Sequence, residues 1–153
     1  MKASIISTWI FLLATAAYIQ KVNGESDWTP LMKAVKKNDM DMVKNLLDSG
    51  AADAKATDHY EWSALMMAAY YQNDKMVKLL LPKSDAKATN RFGYTALMYA
   101  VMSGNDKSVE LLLPKSDVAA TNKWGYTALD YAKHENYEHN QIVSLLRQQG
   151  YIL

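Results

Sequence analysis

The sequence predicts an all-α solenoid, in which short helix–turn–helix units stack on copies of themselves. Three observations support this prediction. A segment that reads aromatic residue, Thr or Ser, Pro or Ala, then Leu occurs four times, and its copies begin 34, 32 and 32 residues apart, at Trp28, Trp62, Tyr94 and Tyr126. A second apolar block follows each copy, and two connectors between copies are almost identical, 82–90 and 114–122. A period of this length indicates a repeat protein.

Each repeat is predicted to contain two helices. A hydroxyl side chain stands before each first helix, where it can accept an N–H of the first turn, at Thr29, Ser63, Thr95 and Thr127. Leu31 and Ala34 are three residues apart and therefore share a helix face. In the second helix Val77, Leu80 and Leu81 form an apolar stripe. Because so short a helix pair cannot bury its stripe alone, it must stack on a copy of itself.

These segments resemble the ankyrin repeat, whose signature reads Thr-Pro-Leu-His-x-Ala. The resemblance covers residues 26–153, with repeats near 26–58, 59–90, 91–122 and 123–153. The hairpin pattern of the family is present at 90–95 and 122–127. The resemblance implies an ankyrin-repeat solenoid with short β-hairpin loops between the helix pairs.

Several positions depart from the family pattern. The family histidine is replaced in all four repeats, by Met32, Met66, Met98 and Asp130. Methionine can only fill space, so we expect these three methionines in the core. Glu61 replaces the hairpin glycine of the second repeat, which predicts strain if the backbone there has a positive φ. Pro82 and Pro114 are expected to end second helices. The last repeat has two extra residues near 134–138.

The N-terminal 24 residues differ from the rest of the chain. Lys2 precedes the uncharged, largely apolar segment 3–19, and small residues stand at Ala14, Ala16 and Ala17 within it and at Gly24 beyond it. This layout is typical of a secretory signal peptide. We predict a signal peptide at 1–24, with cleavage after Gly24 favoured over cleavage after the Ala-Thr-Ala run at 14–16, and an ankyrin-repeat domain at 25–153. An uncleaved anchor is the alternative, because 17 apolar residues are just enough to span a bilayer.

Composition argues against several classes of protein. The formal net charge is +1, and it becomes −1 without residues 1–24, so nothing attracts the chain to nucleic acid or to an acidic membrane. Cysteine is absent, which excludes disulfides and thiolate sites. His134 and His139 are five residues apart, about 140° around a helix, whereas a zinc-protease helix needs a spacing of four. We therefore predict no metal, no cofactor and no catalytic residue.

The family resemblance also implies a binding surface, since ankyrin proteins hold partners with hairpin tips and the inner face of the first helices. The aligned positions predict a partner-binding set of Tyr60, Trp62, Tyr70, Tyr71, Arg91, Phe92, Tyr94, Lys123, Trp124 and Tyr126. Aromatic residues and Arg dominate binding hot spots. For Trp62, Tyr94 and Tyr126, which precede Ser or Thr, packing on the next hairpin is an equal alternative.

The sequence thus predicts an exported, non-enzymatic scaffold that binds another protein. We expect a monomer that is secreted or periplasmic, with no membrane contact unless the N-terminal segment is retained. In that case the chain would be an anchored accessory module that tethers or shields an enzyme. A remote alternative is an enzyme, which would require a closed polar pocket around His134 and His139.

Overall fold

Four pairs of α-helices follow one another in the computed structural model, which describes residues 27–133 and 140–148. The first helices of the pairs are α1 (Pro30–Lys36), α3 (Ala64–Tyr70), α5 (Ala96–Ser103) and α7 (Ala128–Ala132). The second helices are α2 (Met40–Asp48), α4 (Asp74–Leu80), α6 (Asp106–Leu112) and α8 (Asn140–Gln148). Short 3-10 turns follow two of them, Leu81–Lys83 and Leu113–Lys115. The two prolines inside these turns end α4 and α6, as predicted.

The predicted hydroxyl caps are confirmed at all four first helices. Each side-chain oxygen accepts an N–H from the first turn, and the cap residues are Thr29, Ser63, Thr95 and Thr127. At the last of them Asp130 also accepts the N–H of Thr127, which makes a capping box. These caps set where each first helix begins and thereby keep the repeats in register.

The helix pairs stack in chain order. Helix α3 packs between α1 and α5, and α5 packs between α3 and α7, while α6 packs between α4 and α8. Met32, Met66 and Met98 are each at most 1% exposed, so the prediction that these methionines lie in the core is confirmed. The flexible thioether side chain fills the space between neighbouring first helices.

Hairpin turns connect the helix pairs and also hydrogen-bond to one another. The ends of two hairpins are closed by isolated β-bridges, Thr57 with Ser63 and Thr89 with Thr95. Between hairpins, Arg91 N–H donates to the Tyr60 carbonyl at 2.9 Å, and Lys123 N–H donates to the Phe92 carbonyl at 3.0 Å. The three hairpin tips are therefore held side by side by backbone contacts.

Glu61 has a left-handed backbone, which is the condition under which the missing glycine predicts strain. Its φ is 63°, while Gly93 and Gly125 at the equivalent positions have φ of 82° and 81°. We expect Glu61→Gly to raise the free energy of unfolding by about 0.5–1 kcal/mol, because a left-handed residue with a Cβ is strained and the gain exceeds the added entropy of a glycine in the unfolded chain. Urea denaturation followed by circular dichroism measures the change.

Glu61→Ala is the matched control for this prediction. Alanine removes the carboxylate but keeps the Cβ, so the backbone strain remains. If Glu61→Ala stabilised the protein as much as Glu61→Gly does, the destabilisation by Glu61 would come from its charge and not from its backbone conformation.

Two segments named in the sequence analysis, the signal peptide at 1–24 and the enlarged turn near 134–138, lie outside the described residues, as do residues 149–153. Cleavage or retention of the N-terminal segment stays a prediction. Among the helices described, none combines the length and the apolar character that crossing a membrane requires.

Candidate protein-binding surface

A buried polar side chain shapes each hairpin. The Oδ1 atom of Asn90 accepts the N–H groups of Phe92 and Tyr94, both at 3.0 Å. Asp58 and Asn122 accept the equivalent pairs of N–H groups in the other two hairpins at 2.9–3.0 Å. All three side chains are at most 6% exposed. The hairpin therefore has a fixed shape before any partner arrives, which lowers the entropic cost of binding.

The two asparagines also tie their hairpins to first helices. Asn90 Nδ2 donates to the Tyr99 hydroxyl at 2.8 Å, and Asn122 Nδ2 donates to the Tyr131 hydroxyl at 2.6 Å. Tyr131 donates onward to the Tyr94 hydroxyl at 3.0 Å, which joins the third repeat to the fourth. Burial raises the pKa of Tyr99 and of Tyr131 well above the ordinary value for tyrosine. Both rings therefore stay neutral and keep their hydrogen-bonding protons.

The hairpin tips carry a row of aromatic side chains, Tyr60, Phe92 and Trp124. The rings of Phe92 and Trp124 lie nearly parallel, 16° apart in orientation, with centroids separated by 6.3 Å. Tyr94 supports the Trp124 ring from 6.0 Å. Trp124 is nevertheless 46% exposed. The Trp124 indole is therefore supported by Tyr94 on one side and open to solvent elsewhere.

On the second and third hairpins a basic side chain stands next to the tip aromatic. Arg91 precedes Phe92 and Lys123 precedes Trp124, and both are exposed. The Arg91 guanidinium lies 5.6 Å from the centre of the Tyr60 ring, in cation–π range. Tyr60, Arg91, Phe92, Lys123 and Trp124 together form what we call the hairpin-tip surface.

A second aromatic group lies at the end of α3. Tyr71 is 44% exposed and packs edge-on against Tyr70, with centroids 5.3 Å apart. Tyr70 contacts Tyr99 at 6.0 Å, so the group continues into the core. The predicted pair thus consists of one exposed and one half-buried ring.

The comparisons with known proteins agree with this geometry. The family described as "Ankyrin repeats (3 copies)" matches residues 8–90 and 65–152, which is most of the chain. The chain belongs to the ankyrin-repeat family. Ankyrin repeats generally bind other proteins and are typically not enzymes. The all-α ankyrin-repeat solenoid predicted from the sequence is therefore confirmed.

Curated proteins share parts of this ankyrin array. The bovine (Bos taurus) mitochondrial disaggregase is 33% identical over 76 residues, half of this chain. Ankyrin repeat, SAM and basic leucine zipper domain-containing protein 1 is 41% identical over 51 residues, a third of this chain, in both Saimiri boliviensis boliviensis and Ateles geoffroyi. The chain spans only 11% of the length of each relative. These similarities therefore concern the ankyrin segment.

The ankyrin fold places one predicted site residue inside the protein. Trp62 is only 4% exposed, since its ring lies 4.5 Å from Tyr99 and 5.9 Å from Tyr70. Of the two alternatives left open by the sequence, the structure assigns Trp62 to packing. Tyr94 and Tyr126, at the equivalent ankyrin positions, are half-buried and pack on Tyr131.

Sequence reasoning missed the four residues that fix the ankyrin hairpins to the helices, Asn90, Tyr99, Asn122 and Tyr131. The signal was present in the sequence, because each Asn is followed by a Tyr nine residues later in two successive repeats. In the second repeat this position is Met67, and the hairpin begins with Asp58 instead of Asn. The amide donor is thus present in the two repeats that have a tyrosine to receive it.

Ligands for a metal do not come together in the described part of this ankyrin domain. No group of three or more His, Asp or Glu side chains is arranged to hold an ion there. His59 pairs with Asp27, with Nδ1 and Oδ2 2.8 Å apart. His134 and His139 lie outside the described residues.

Proposed function

We propose that this chain is an exported, non-enzymatic scaffold that binds another protein through its hairpin-tip surface. The observation that carries the proposal is the pair Phe92 and Trp124, two stacked rings on neighbouring hairpins. Aromatic residues on a rigid base are typical of binding hot spots, and here Trp124 is 46% exposed while Phe92 is partly exposed. Arg91 and Lys123 border the pair and can supply polar contacts around an apolar centre.

Rigidity supports the proposal as much as composition does. The N–H groups of Phe92 and Trp124 are each held by the asparagine that begins the hairpin, at 3.0 Å. The tips are also joined by the hydrogen bond from Lys123 N–H to the Phe92 carbonyl. A partner would therefore meet aromatic side chains whose backbone is already ordered, which reduces the entropy lost on binding.

Tyr71 extends the proposed surface toward the end of α3. Its exposed ring is backed by Tyr70. Tyrosine offers a large contact area with few rotatable bonds. A partner that reaches from the hairpin tips to the helix ends would cover both aromatic groups.

Export is the second part of the proposal. The basic start, apolar stretch and small residues within 1–24 support a secretory signal, and we propose a secreted or periplasmic location. If residues 3–19 stay attached, the same surface would belong to an anchored module that tethers or shields an enzyme in the periplasm or lumen. The apparent mass of the chain in its native host distinguishes the two.

The test is co-purification from the native host. The full chain with a C-terminal affinity tag is compared with the triple variant Phe92→Ala, Trp124→Ala, Tyr71→Ala. We expect the triple variant to lose its partner, with affinity lowered at least about tenfold, because hot-spot aromatics carry most of the binding energy. Thermal melting must show that both proteins are folded.

Met42→Ala is the matched control. Met42 is a large apolar side chain that is 48% exposed, but it lies on the second helix α2, away from the hairpin tips. This variant should keep the partner. A partner retained by the folded triple variant would place the site elsewhere, and the absence of any partner for the unaltered chain would count against a stable scaffold.

A further inference from the structure

We infer that the hairpin-tip surface binds an acidic peptide segment, laid across the second and third hairpins. This inference rests on the proposed function and names the class of partner. It comes from two parallel rows on the tips. Phe92 and Trp124 form the apolar row, and Arg91 and Lys123, one residue earlier in each hairpin, form the basic row.

Positive charge is segregated on these two hairpins. Residues 86–95 contain Lys87 and Arg91 and no acidic residue, and residues 118–127 contain Lys123 as their only charged residue. The carboxylates nearest in the preceding sequence, Asp85 and Asp117, stand six residues before Arg91 and Lys123 respectively, in the turns that precede these hairpins. Asp85 accepts the Lys87 N–H at 2.9 Å, and Asp117 accepts the Ala119 N–H at 3.0 Å.

The first hairpin does not share this charge. His59 is paired with Asp27 at 2.8 Å, and Glu61 stands two residues further along. The second helices also mix signs, as Asp106, Lys107 and Glu110 show in α6. In a chain with a net charge of only +1, the basic row is therefore a local feature of the tips. Such a row attracts a carboxylate-bearing partner and repels a basic one.

The distance between neighbouring repeats suggests how the acidic residues are spaced along the peptide. Packed helices lie about 8–10 Å apart, and about three residues of an extended chain span that distance. Acidic side chains about three residues apart would thus reach Arg91 and Lys123 together, with apolar side chains between them against Phe92 and Trp124. The guanidinium of Arg91, held over Tyr60, can bind a carboxylate through two N–H groups.

A nucleic acid is the competing occupant, since bases stack on aromatic rings beside basic groups. It is disfavoured because a phosphate backbone carries a charge on every nucleotide, whereas the second and third hairpins offer one basic tip residue each and the first hairpin carries Glu61. The test therefore includes a single-stranded oligonucleotide.

The experiment is selection of short random peptides displayed on phage against the full chain. The same library is selected against Arg91→Glu with Lys123→Glu, and against a control in which Lys75→Glu and Lys107→Glu change the net charge equally on the second helices. We expect the unaltered chain and the control to select acidic peptides with apolar residues between the acids. The tip variant should select basic ones. Both lysines of the control are exposed.

Binding of synthetic versions of the selected peptides completes the test. The tip variant should bind the acidic peptides at least about tenfold more weakly than the control does, and high salt should weaken their binding to the unaltered chain. Three results would overturn the inference: no enrichment of acids, the same peptides from the tip variant, or tighter binding of oligothymidylate than of any peptide.

The two proposals can fail separately. The selected peptides could lack acidic residues and still lose binding to the Phe92→Ala and Trp124→Ala variants. The hairpin-tip surface would then remain a protein-binding site, but the inference of an acidic partner would be wrong. No selected peptide at all would overturn the acidic partner, while the co-purification experiment would still decide the proposed function independently.

Discussion

Replacing Trp62 by alanine should lower the free energy of unfolding by about 3–5 kcal/mol, which is the usual cost of truncating a buried tryptophan. The indole is 4% exposed and packs against Tyr70 and Tyr99, whose rings also contact each other. Because helix α3 is packed on both sides, neighbouring side chains can close only part of the cavity. Urea denaturation monitored by circular dichroism gives the change directly.

Trp124→Ala is the matched control. Trp124 is also a hairpin tryptophan, but 46% of it is exposed, and we expect a loss of about 1 kcal/mol or less. For binding of the partner we expect the opposite order, in which Trp124→Ala has the larger effect, since Trp124 belongs to the hairpin-tip surface. Equal destabilisation by the two substitutions would contradict the assignment of Trp62 to packing and of Trp124 to binding.

Gly93→Ala is expected to destabilise the protein by about 2–4 kcal/mol, for two reasons that add together. The backbone φ at this position is +82°, which is unfavourable for any residue with a Cβ. An added Cβ would also lie 2.9 Å from the Cα of Asn122 and 3.0 Å from the backbone nitrogen of Lys123. Backbone atoms cannot move aside as a flexible side chain can, so the two hairpins would have to separate. Thermal and urea denaturation measure the loss.

Gly125 offers the comparison that separates these two reasons. Its φ is +81°, but an added Cβ there would meet nothing within 4 Å. Gly125→Ala should therefore cost only the conformational part, about 1–2 kcal/mol. Similar losses for the two alanine variants would mean that the close approach of the second and third hairpins adds nothing to stability.

Much of the architecture was predictable because it depends on contacts between residues close in sequence. A Thr or Ser caps a helix whose first N–H groups are two or three residues away, and all four predicted caps are present. Proline ends a second helix because its own ring prevents the helix from continuing. Aligning the repeats showed that Glu61 stands where two other repeats have glycine, which predicted strain if that turn needs a positive φ, and the structure has a positive φ there.

The site was only partly predictable from the sequence. Alignment placed Arg91, Phe92, Lys123 and Trp124 together on the tips, and the structure has the rings stacked and the basic side chains exposed. That these residues bind a partner stays a prediction, as does the secretory signal at 1–24. The hydrogen bonds of Asn90 and Asn122 to tyrosines went unpredicted, because they join a hairpin to a helix.

What the sequence determined by itself is the repeat: its period, its helix starts and ends, and the stacking that an apolar stripe on a short helix pair requires. What only the tertiary structure decided is the exposure of each aromatic side chain. Trp62 and Trp124 both belong to hairpin segments, yet the first is covered by Tyr70 and Tyr99 and the second is open to solvent. The physical reason is that part of this cover comes from another repeat, since Tyr99 lies on α5 whereas Tyr70 belongs to the same repeat as Trp62, and no pattern within a single repeat contains the contribution of Tyr99.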